Sequence, residues 1–253
     1  MSKYTSKRYG NTPLYILCGK TLRKLIEMVV ELFTVPKLDK EFKNLPFSGH
    51  AMQKLIKDFK FTSILDIGSG EGLHSKALTN AGKQVTAIDY GDSVYYEKQV
   101  LAKSDACATI IADFNDYNFD CQYDAVWCSH VLEHQPNPNY FLKKIYSLLI
   151  DGGILAITVP PARNTISGGH LTNWNAGILL YNLVLAGFDC KDACVLKYGY
   201  NISIIITKRI AVFDNLSFDS GDIRKIKKCL PKLKYYSTDN DDLFNGNILK
   251  LNW

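Results

Sequence analysis

The sequence predicts an α/β fold whose doubly wound sheet has seven strands, mostly parallel, and ends in a C-terminal antiparallel hairpin. Two observations support this prediction. Five short apolar segments between residues 63 and 159 alternate with helical patterns, and such alternation is typical of a parallel sheet covered by helices on both faces. Two further strand-like segments, at 193–198 and 202–207, are joined by a turn too short for a crossover, so they are expected to pair antiparallel.

Each element is predicted from an apolar pattern and from the residues that end it. The five strands of the alternating region are predicted at residues 63–66, 84–88, 109–112, 125–128 and 154–159. The helices are predicted at residues 43–61, 73–80, 94–104, 140–149 and 178–186. Gly82, Gly152 and Gly187 follow three of the helices as C-terminal glycines. Pro160 ends the fifth strand, because proline has no N–H to donate to a sheet.

The chain is expected to carry an extension on each side of the α/β domain. We assign residues 1–50 to an N-terminal helical extension, residues 51–209 to the domain and residues 210–253 to a C-terminal extension. Apolar residues at 21–33 recur at helical spacing, so an amphipathic helix there would cover the core, cap a pocket, or contact a membrane or partner. The C-terminal extension contains a basic helical segment at 223–234.

Composition and charge exclude several classes of protein. Thirty Lys and Arg residues against 25 Asp and Glu residues give a formal net charge of +5, which is compatible with an acidic substrate but too small to indicate nucleic acid. Seven cysteines without a Cys-x-x-Cys pair argue against a disulfide framework or a zinc ribbon. No apolar run approaches the ~18–20 residues that span a bilayer. We therefore expect a cytoplasmic protein without a transmembrane segment.

The stretch at residues 65–72, Leu-Asp-Ile-Gly-Ser-Gly-Glu-Gly, lies between the first strand and a helix. Its alternate glycines, Gly68, Gly70 and Gly72, allow positive φ angles and let a ligand approach the backbone. The dinucleotide fingerprint Gly-x-Gly-x-x-Gly would need a third glycine at the position of Leu73. The stretch therefore indicates a ligand loop of another kind.

With Asp66 in front, the pattern Asp-x-Gly-x-Gly-x-Gly resembles motif I of the class I S-adenosylmethionine (SAM) methyltransferases. The resemblance covers about residues 60–208 and implies a Rossmann-like sheet ending in an antiparallel hairpin. It also implies SAM as cofactor and S-adenosylhomocysteine as product, with residues 51–209 as the SAM-binding domain. In this family the loop holds the amino-acid end of the cofactor, here by Asp66, Gly68, Ser69, Gly70 and Gly72.

The residues that end the next strands are expected to hold the nucleoside, because ligands of open parallel sheets bind at the carboxyl ends of the strands. Asp89 ends the second strand, where a carboxylate can accept both ribose hydroxyls, and Tyr90 would lie on the adenine. The resemblance implies that Asp113, after the third strand, accepts from the adenine amino group, with Phe114 beside it.

The fourth strand leads into Ser-His-Val-Leu-Glu-His at residues 129–134, which resembles the family's segment beneath the sulfonium and methionine. Ser129 is therefore a cofactor-binding candidate, and His130 and His134 are catalytic candidates. His-x-x-Glu-His is also a zinc pattern, but it requires a helix, and Pro136 follows too closely for one. We therefore expect no metal, and activity that survives a chelator.

The long polar loop after the fifth strand, residues 160–175, is expected to face the acceptor because such loops usually carry function. His170 is a candidate general base, with a packed structural role as the alternative. Trp174 would form an aromatic wall. Arg163 would meet a carboxylate or phosphate on the substrate.

These features predict a SAM-dependent methyltransferase that modifies a hydroxyl of a sugar, a glycan or another polar small metabolite, as in polysaccharide biosynthesis. The Ser-His-Val-Leu segment replaces the Asn/Asp-Pro-Pro-Tyr/Phe of enzymes that methylate amino groups of bases, so we do not expect a nucleic-acid partner. Two alternatives remain: an RNA methyltransferase, suggested by the basic segment, and a SAM-binding protein without activity. Nothing in the sequence predicts the oligomeric state.

Overall fold

The computed structural model describes residues 22, 25, 29–92, 107–233 and 242–253. The chain divides into two compact units, residues 1–36 and 37–253. In the first unit, the described residues of the helix predicted at 21–33 are all helical. Thr34 Oγ1 donates to the carbonyl of Val30 at 2.9 Å. The predicted helix at 94–104 lies outside the described residues.

The second unit contains the α/β domain. Its helices are α1 (Gly49–Asp58), α2 (Leu73–Asn80), α3 (Pro138–Leu148), α4 (Ala176–Leu185) and α5 (Asp222–Ile226). Its strands are β1 (Ser63–Ile67), β2 (Gln84–Asp89), β3 (Cys107–Ile111), β4 (Tyr123–Ser129), β5 (Leu149–Val159), β6 (Cys194–Tyr198), β7 (Asn201–Thr207) and β8 (Lys250–Leu251). Short 3₁₀ helices occur at Lys40–Phe42, Leu132–His134 and Lys227–Cys229.

The sheet has the order β3-β2-β1-β4-β5-β7-β6-β8 in the described residues. Strands β1 to β5 pair parallel, whereas β7 pairs antiparallel with both β5 and β6. The predicted fold class is confirmed, but the described sheet has eight strands rather than seven. The additional strand, β8, is only two residues long and pairs with Val195 and Leu196, too short to give a periodic pattern.

Several element boundaries differ from the predicted ones; the helix predicted at 43–61, for example, is observed as α1 at Gly49–Asp58. Strand β5 begins directly after α3, at Leu149, because Gly152 lies inside the strand with a φ of 77° rather than at a helix end. Its N–H donates to the carbonyl of Lys208 at 3.2 Å, which extends the sheet past the glycine pair. The basic segment forms only the one-turn helix α5 followed by a 3₁₀ turn.

Helices cover both faces of the sheet, and alternate strand residues point to opposite sides. Leu65 and Val126 belong to a buried cluster with α3 and α4, while Ile64 and Trp127 belong to a second cluster with α1 and α2. Because both faces are buried, ligands reach the domain at the strand ends. The loops after β1, β2, β4 and β5 therefore meet at one edge. No helix among the described residues is long and apolar enough to cross a membrane.

At the opposite edge, Asp124 connects the start of β4 to the start of β1. Its Oδ2 accepts from the backbone N–H groups of Ser63 and Thr62, each at 2.9 Å. These backbone bonds hold the pKa of Asp124 below its usual value, because they favour the charged form.

We predict that Asp124→Ala lowers the free energy of unfolding at pH 7 by about 1–3 kcal/mol, since two N–H groups lose a charged acceptor. A depressed folded pKa gives stability that is present above the unfolded pKa, ~3.9, and lost as pH falls through the folded pKa. The deficit of the variant should therefore shrink in acid. Urea unfolding measures it, with Asp120→Ala as control because Asp120 is an exposed carboxylate. Equal losses in both variants would contradict the assignment.

Candidate functional site

The turn between β1 and α2 leaves no room for side chains at its first glycine. Gly68, Gly70 and Gly72 have φ angles of 71°, 50° and 78°. The N–H of Gly68 donates to the carbonyl of Ile88 at 2.8 Å, which fixes the turn to β2. A Cβ added at Gly68 would lie 2.3 Å from Val131 Cγ2. The predicted ligand loop is therefore packed directly against the segment that follows β4.

Asp89 joins the ends of β1 and β2 through its carboxylate. The side chain is 7% exposed, its Oδ2 accepts from the N–H of Gly70 at 2.7 Å and its Oδ1 accepts from the N–H of Gly91 at 3.0 Å. A carboxylate has about four acceptor positions, so two positions remain after these bonds. Asp89 is thus held in place and still able to accept hydroxyl donors.

Two polar side chains at the turn between β1 and α2 are buried near Asp89. Asp66 is 1% exposed and accepts from Ser75 Oγ at 2.5 Å. Burial raises the pKa of Asp66 to about 7; the Ser75 bond opposes this shift, and the charge of Asp89 adds to it. Ser69 is 8% exposed, and its Oγ has no hydrogen-bond partner among the described residues. Ser69 therefore offers a ready polar contact for a ligand in the loop.

The residues predicted around the adenine separate into exposed and buried ones. Tyr90 is 66% exposed beside Asp89. Asp113 Oδ1 accepts from the N–H of Asn115 at 2.8 Å. Phe114 is only 6% exposed and packs edge-on against Phe141, with 4.9 Å between ring centroids. Phe114 is therefore a core residue beneath this region, whereas the ring of Tyr90 is accessible.

Strand β4 ends in a tight change of direction at His130, which has a φ of 57°. The backbone N–H of His130 donates to the carbonyl of Thr158 at 2.9 Å, and its Nε2 lies 2.9 Å from Asn201 Oδ1. The preceding Ser129 Oγ lies 2.5 Å from Ser48 Oγ, in the segment before α1. Contacts on both sides of β4 thus compensate for the unfavourable backbone angle.

Glu133 lies at the centre of a histidine cluster that sequence reasoning did not assign to the site. Its side chain is fully buried, and its Oε1 lies 3.2 Å from His130 Nδ1 and 3.9 Å from His134 Nε2. The ring of His134 contacts the ring of His170 edge-on at 4.9 Å between centroids. The structure therefore brings the three predicted histidines together around one carboxylate. The signal in the sequence was the His-x-x-Glu-His pattern itself.

The loop after β5 is tied to the segment after β4 by backbone bonds. The carbonyl of Glu133 accepts from the N–H of Leu171 at 2.8 Å and of Thr172 at 3.2 Å. His134 Nδ1 lies 2.8 Å from the carbonyl of Gly169. These contacts place His170 beside the turn at 132–134.

Beside this loop lies a small cleft of about 40 Å³. The guanidinium of Arg163 lies 4.2 Å from the ring centroid of Tyr200, and both residues line the cleft together with His170. Trp174 was expected to form the aromatic wall, but its side chain is 2% exposed and packs in the core. The carbonyl of Trp174 accepts from the N–H of Ala162 at 2.7 Å, and this bond folds the end of the loop inward. Tyr200, which the sequence did not indicate, supplies the aromatic surface.

A second, more open cleft of about 620 Å³ lies at the amino ends of the strands, beside Thr62, Lys83 and Asp124. It contains none of the predicted site residues. We place the candidate site at the opposite edge because the glycine turn, Asp89 and the histidine cluster meet there.

The raised pKa of Asp66 leads to a prediction about stability. Its folded pKa of about 7 exceeds the unfolded value of ~3.9, so the folded state binds more protons between these values and its stability falls as pH rises through that window. Asp66→Asn should remove this slope, so that the variant gains stability relative to the wild type from about pH 4 to about pH 7. Urea unfolding across this range measures the difference.

Ser75→Ala serves as the control for Asp66→Asn. It keeps the titrating carboxyl but removes the bond that favours the charged form, so its pH window should move upward. Parallel stability profiles for the wild type and Asp66→Asn would show that Asp66 titrates normally.

Part of the chain, including most of this edge, matches a known protein family. Residues 65–157 match the family model described as methyltransferase domain. The ubiquinone biosynthesis O-methyltransferase of Xanthomonas campestris pv. campestris (strain B100) is 33% identical over 108 residues, covering 38% of this chain and 41% of that protein. The protein of the same name from Shewanella halifaxensis is 31% identical over 100 residues, covering 36% and 41%. This chain thus spans about two fifths of the length of these curated relatives.

A solved structure shares the fold over most of the chain. It is the Burkholderia thailandensis 1,6-didemethyltoxoflavin-N1-methyltransferase with bound 1,6-didemethyltoxoflavin and S-adenosylhomocysteine. It has a TM-score of 0.52 and 13% identity, and the likeness covers 81% of this chain and 93% of that one. Residues 65–157 of this chain are therefore similar to a methyltransferase domain, and the chain shares the Rossmann-like α/β fold of the Burkholderia protein.

Proposed function

We propose that this protein transfers the methyl group of SAM to a hydroxyl group of a polar small molecule, such as a sugar or a glycan. The observation that carries the proposal is the glycine turn clamped by Asp89, inside the segment that matches the methyltransferase domain. The relatives named O-methyltransferases support oxygen as the methyl acceptor. Arg163, which lies over the ring of Tyr200 beside His170, would contact a polar acceptor.

The cofactor would occupy the edge from the β1 turn to the end of β3. Asp89 has acceptor positions left for the ribose hydroxyls, and the exposed ring of Tyr90 lies next to it for the adenine. Ser69, whose Oγ has no hydrogen-bond partner in the part of the chain that the structure describes, would contact the amino-acid end. Asp113 would accept from the adenine amino group. Phe114 would support this region from the core.

The acceptor would lie between the turn after β4 and the loop after β5. Its oxygen attacks the methyl carbon of SAM, the O–C bond forms, and the C–S bond breaks with its electron pair left on sulfur. The hydroxyl proton must also leave, and His130, His134 and His170 are the residues that would assist its loss. Alignment of the two reactants contributes up to ~7–11 kcal/mol to such a transfer.

An RNA acceptor is not favoured by the structure of the basic segment. Arg224 forms an ion pair with Asp242 at 2.5 Å, and Lys225 forms one with the buried Asp222 at 2.8 Å. Part of the positive charge that suggested RNA is therefore neutralised within the protein.

The ribose assignment predicts that Asp89→Ala weakens the binding of SAM and of S-adenosylhomocysteine by about 1–3 kcal/mol, because the ribose hydroxyls lose their charged acceptor. Isothermal titration calorimetry measures the loss. Asp92→Ala is the matched control, since Asp92 is an exposed carboxylate on the same loop. Unchanged affinity in a folded Asp89→Ala variant would refute the assignment.

The acceptor-side assignment predicts that His170→Ala leaves the affinity for SAM nearly unchanged but lowers turnover by about 10²–10⁴-fold, the usual contribution of a group that assists proton loss. Tyr200→Ala should instead mainly raise the acceptor's KM, because it removes a contact surface. Steady-state kinetics with an identified acceptor separates the two effects. Full activity in His170→Ala would show that His170 has no part in catalysis.

A further inference from the structure

The carboxylate of Glu133 has an unusual environment for a buried charge. The side chain is fully buried, and neither of its oxygens has a hydrogen-bond partner among the described residues. Burying a carboxylate without a partner costs several kcal/mol or more. Its ionic contacts in the described residues are with histidine rings only. A bound cation or a protonated histidine would offset this cost.

The ring of His134 is oriented as in a metal ligand. The carbonyl of Gly169, 2.8 Å from Nδ1, can only accept a hydrogen bond, so Nδ1 carries the proton. In the neutral ring, Nε2 then has a lone pair, and this atom is the one that lies 3.9 Å from Glu133 Oε1. A histidine that binds a metal usually donates its other N–H to a carbonyl or carboxylate in this way.

A third donor completes the group. One potential ligand atom from each of Glu133, His134 and His170 lies within 4.8 Å of the other two. The separation of 3.9 Å between His134 Nε2 and Glu133 Oε1 would allow both atoms to bind one metal ion through bonds of about 2.0–2.2 Å each. Small side-chain movements would bring all three atoms onto one ion.

We propose that Glu133, His134 and His170 bind a divalent cation of the zinc type. Two imidazoles and one carboxylate form a donor set that zinc uses in catalytic sites, where a fourth position stays open for water or substrate. The His-x-x-Glu-His zinc pattern requires a helix that carries all of its ligands, and residues 130–134 do not form one. In the structure, the 3₁₀ turn Leu132–His134 supplies two of the proposed ligands, and the loop after β5 supplies the third.

The competing explanation is that a protonated His130 alone neutralises Glu133. His130 Nδ1 lies 3.2 Å from Glu133 Oε1, while its Nε2 is bonded to Asn201. That pairing accounts for the buried charge. It does not account for the convergence of His134 and His170 on the same carboxylate.

The role of the ion rests on the proposed function. Bound at the open position, an acceptor hydroxyl would have its pKa lowered and would release its proton to water. The oxygen would then form the O–C bond as the C–S bond of SAM breaks and sulfur keeps the electron pair. Turnover would therefore be lost with a chelator, the reverse of the expectation from sequence.

The test uses the full chain, freed of metal with EDTA and then titrated with Zn²⁺, Co²⁺ or Mg²⁺ in separate calorimetric experiments. We expect one Zn²⁺ per chain, and a Co²⁺ visible spectrum without the thiolate charge-transfer band that adventitious cysteine sites would give. Glu133→Gln, His134→Ala and His170→Ala should each weaken zinc binding by roughly tenfold or more. Asp151→Asn, at a 93% exposed carboxylate, should leave it unchanged.

Three outcomes would overturn the proposal: no stoichiometric zinc binding by the wild type, binding that none of the three ligand variants weakens, or a clear preference for Mg²⁺. If Glu133→Gln does not fold, His170→Ala still decides, because His170 lies on a loop and is only half buried. Calorimetry with S-adenosylhomocysteine, run separately, tells the two proposals apart. Zinc binding without cofactor binding would refute the proposed function alone, and the converse would refute the metal site alone.

Discussion

The packing of Gly68 against Val131 is the contact on which the geometry of the whole edge depends. A single added carbon at Gly68 would lie 2.3 Å from the valine, so the turn after β1 and the segment after β4 can be this close only because residue 68 is glycine. Two residues past Val131, the carbonyl of Glu133 accepts two N–H groups of the loop after β5. Direct contacts therefore connect the glycine turn to the histidine cluster and the histidine cluster to the loop after β5. A displacement of one of them would displace the others.

The same edge concentrates buried negative charge, and each carboxylate is compensated in a different way. Asp89 is stabilised by two backbone N–H groups. Asp66 has one hydroxyl partner, and burial raises its pKa. Glu133 faces histidine rings. A region of low dielectric with several carboxylates favours cationic ligands. The sulfonium and amino groups of SAM carry positive charge, as does a zinc ion, so the electrostatics suit both proposed ligands.

The parts of the structure that were predictable from sequence are those set by local patterns. Helix α2 begins and ends at the predicted residues, Leu73 and Asn80, because a glycine turn precedes it and Gly82 follows it. The five parallel strands were found because their apolar runs end at polar residues such as Asp89. Strand β8 was missed since two residues carry no period, and β5 was predicted too short since Gly152 resembles a helix end but lies within the strand.

The site was less predictable where it depends on contacts between distant loops. The burial of Trp174 and the position of Tyr200 follow from the path of the loop after β5, which local propensity does not encode. Glu133 was named only within the segment at 129–134, as part of a family resemblance and of a zinc pattern, and His170 lies in a different loop.

The family match covers the proposed cofactor site but not the proposed acceptor cleft. The match ends at residue 157, after the glycine turn, Asp89, Asp113 and the His-x-x-Glu-His segment. Arg163, His170 and Tyr200, which line the proposed acceptor cleft, all lie beyond it. The proposed cofactor half of the site thus lies in the matched segment, while the proposed acceptor half lies in the loop after β5 and a β6–β7 turn that the family model does not cover. His170 connects the two halves, since it approaches Glu133 and His134 of the shared segment and also lines the cleft. An ion bound there would couple acceptor binding to residues of the matched segment, so that the loop after β5 would contact the substrate without altering the way the methyl group is held.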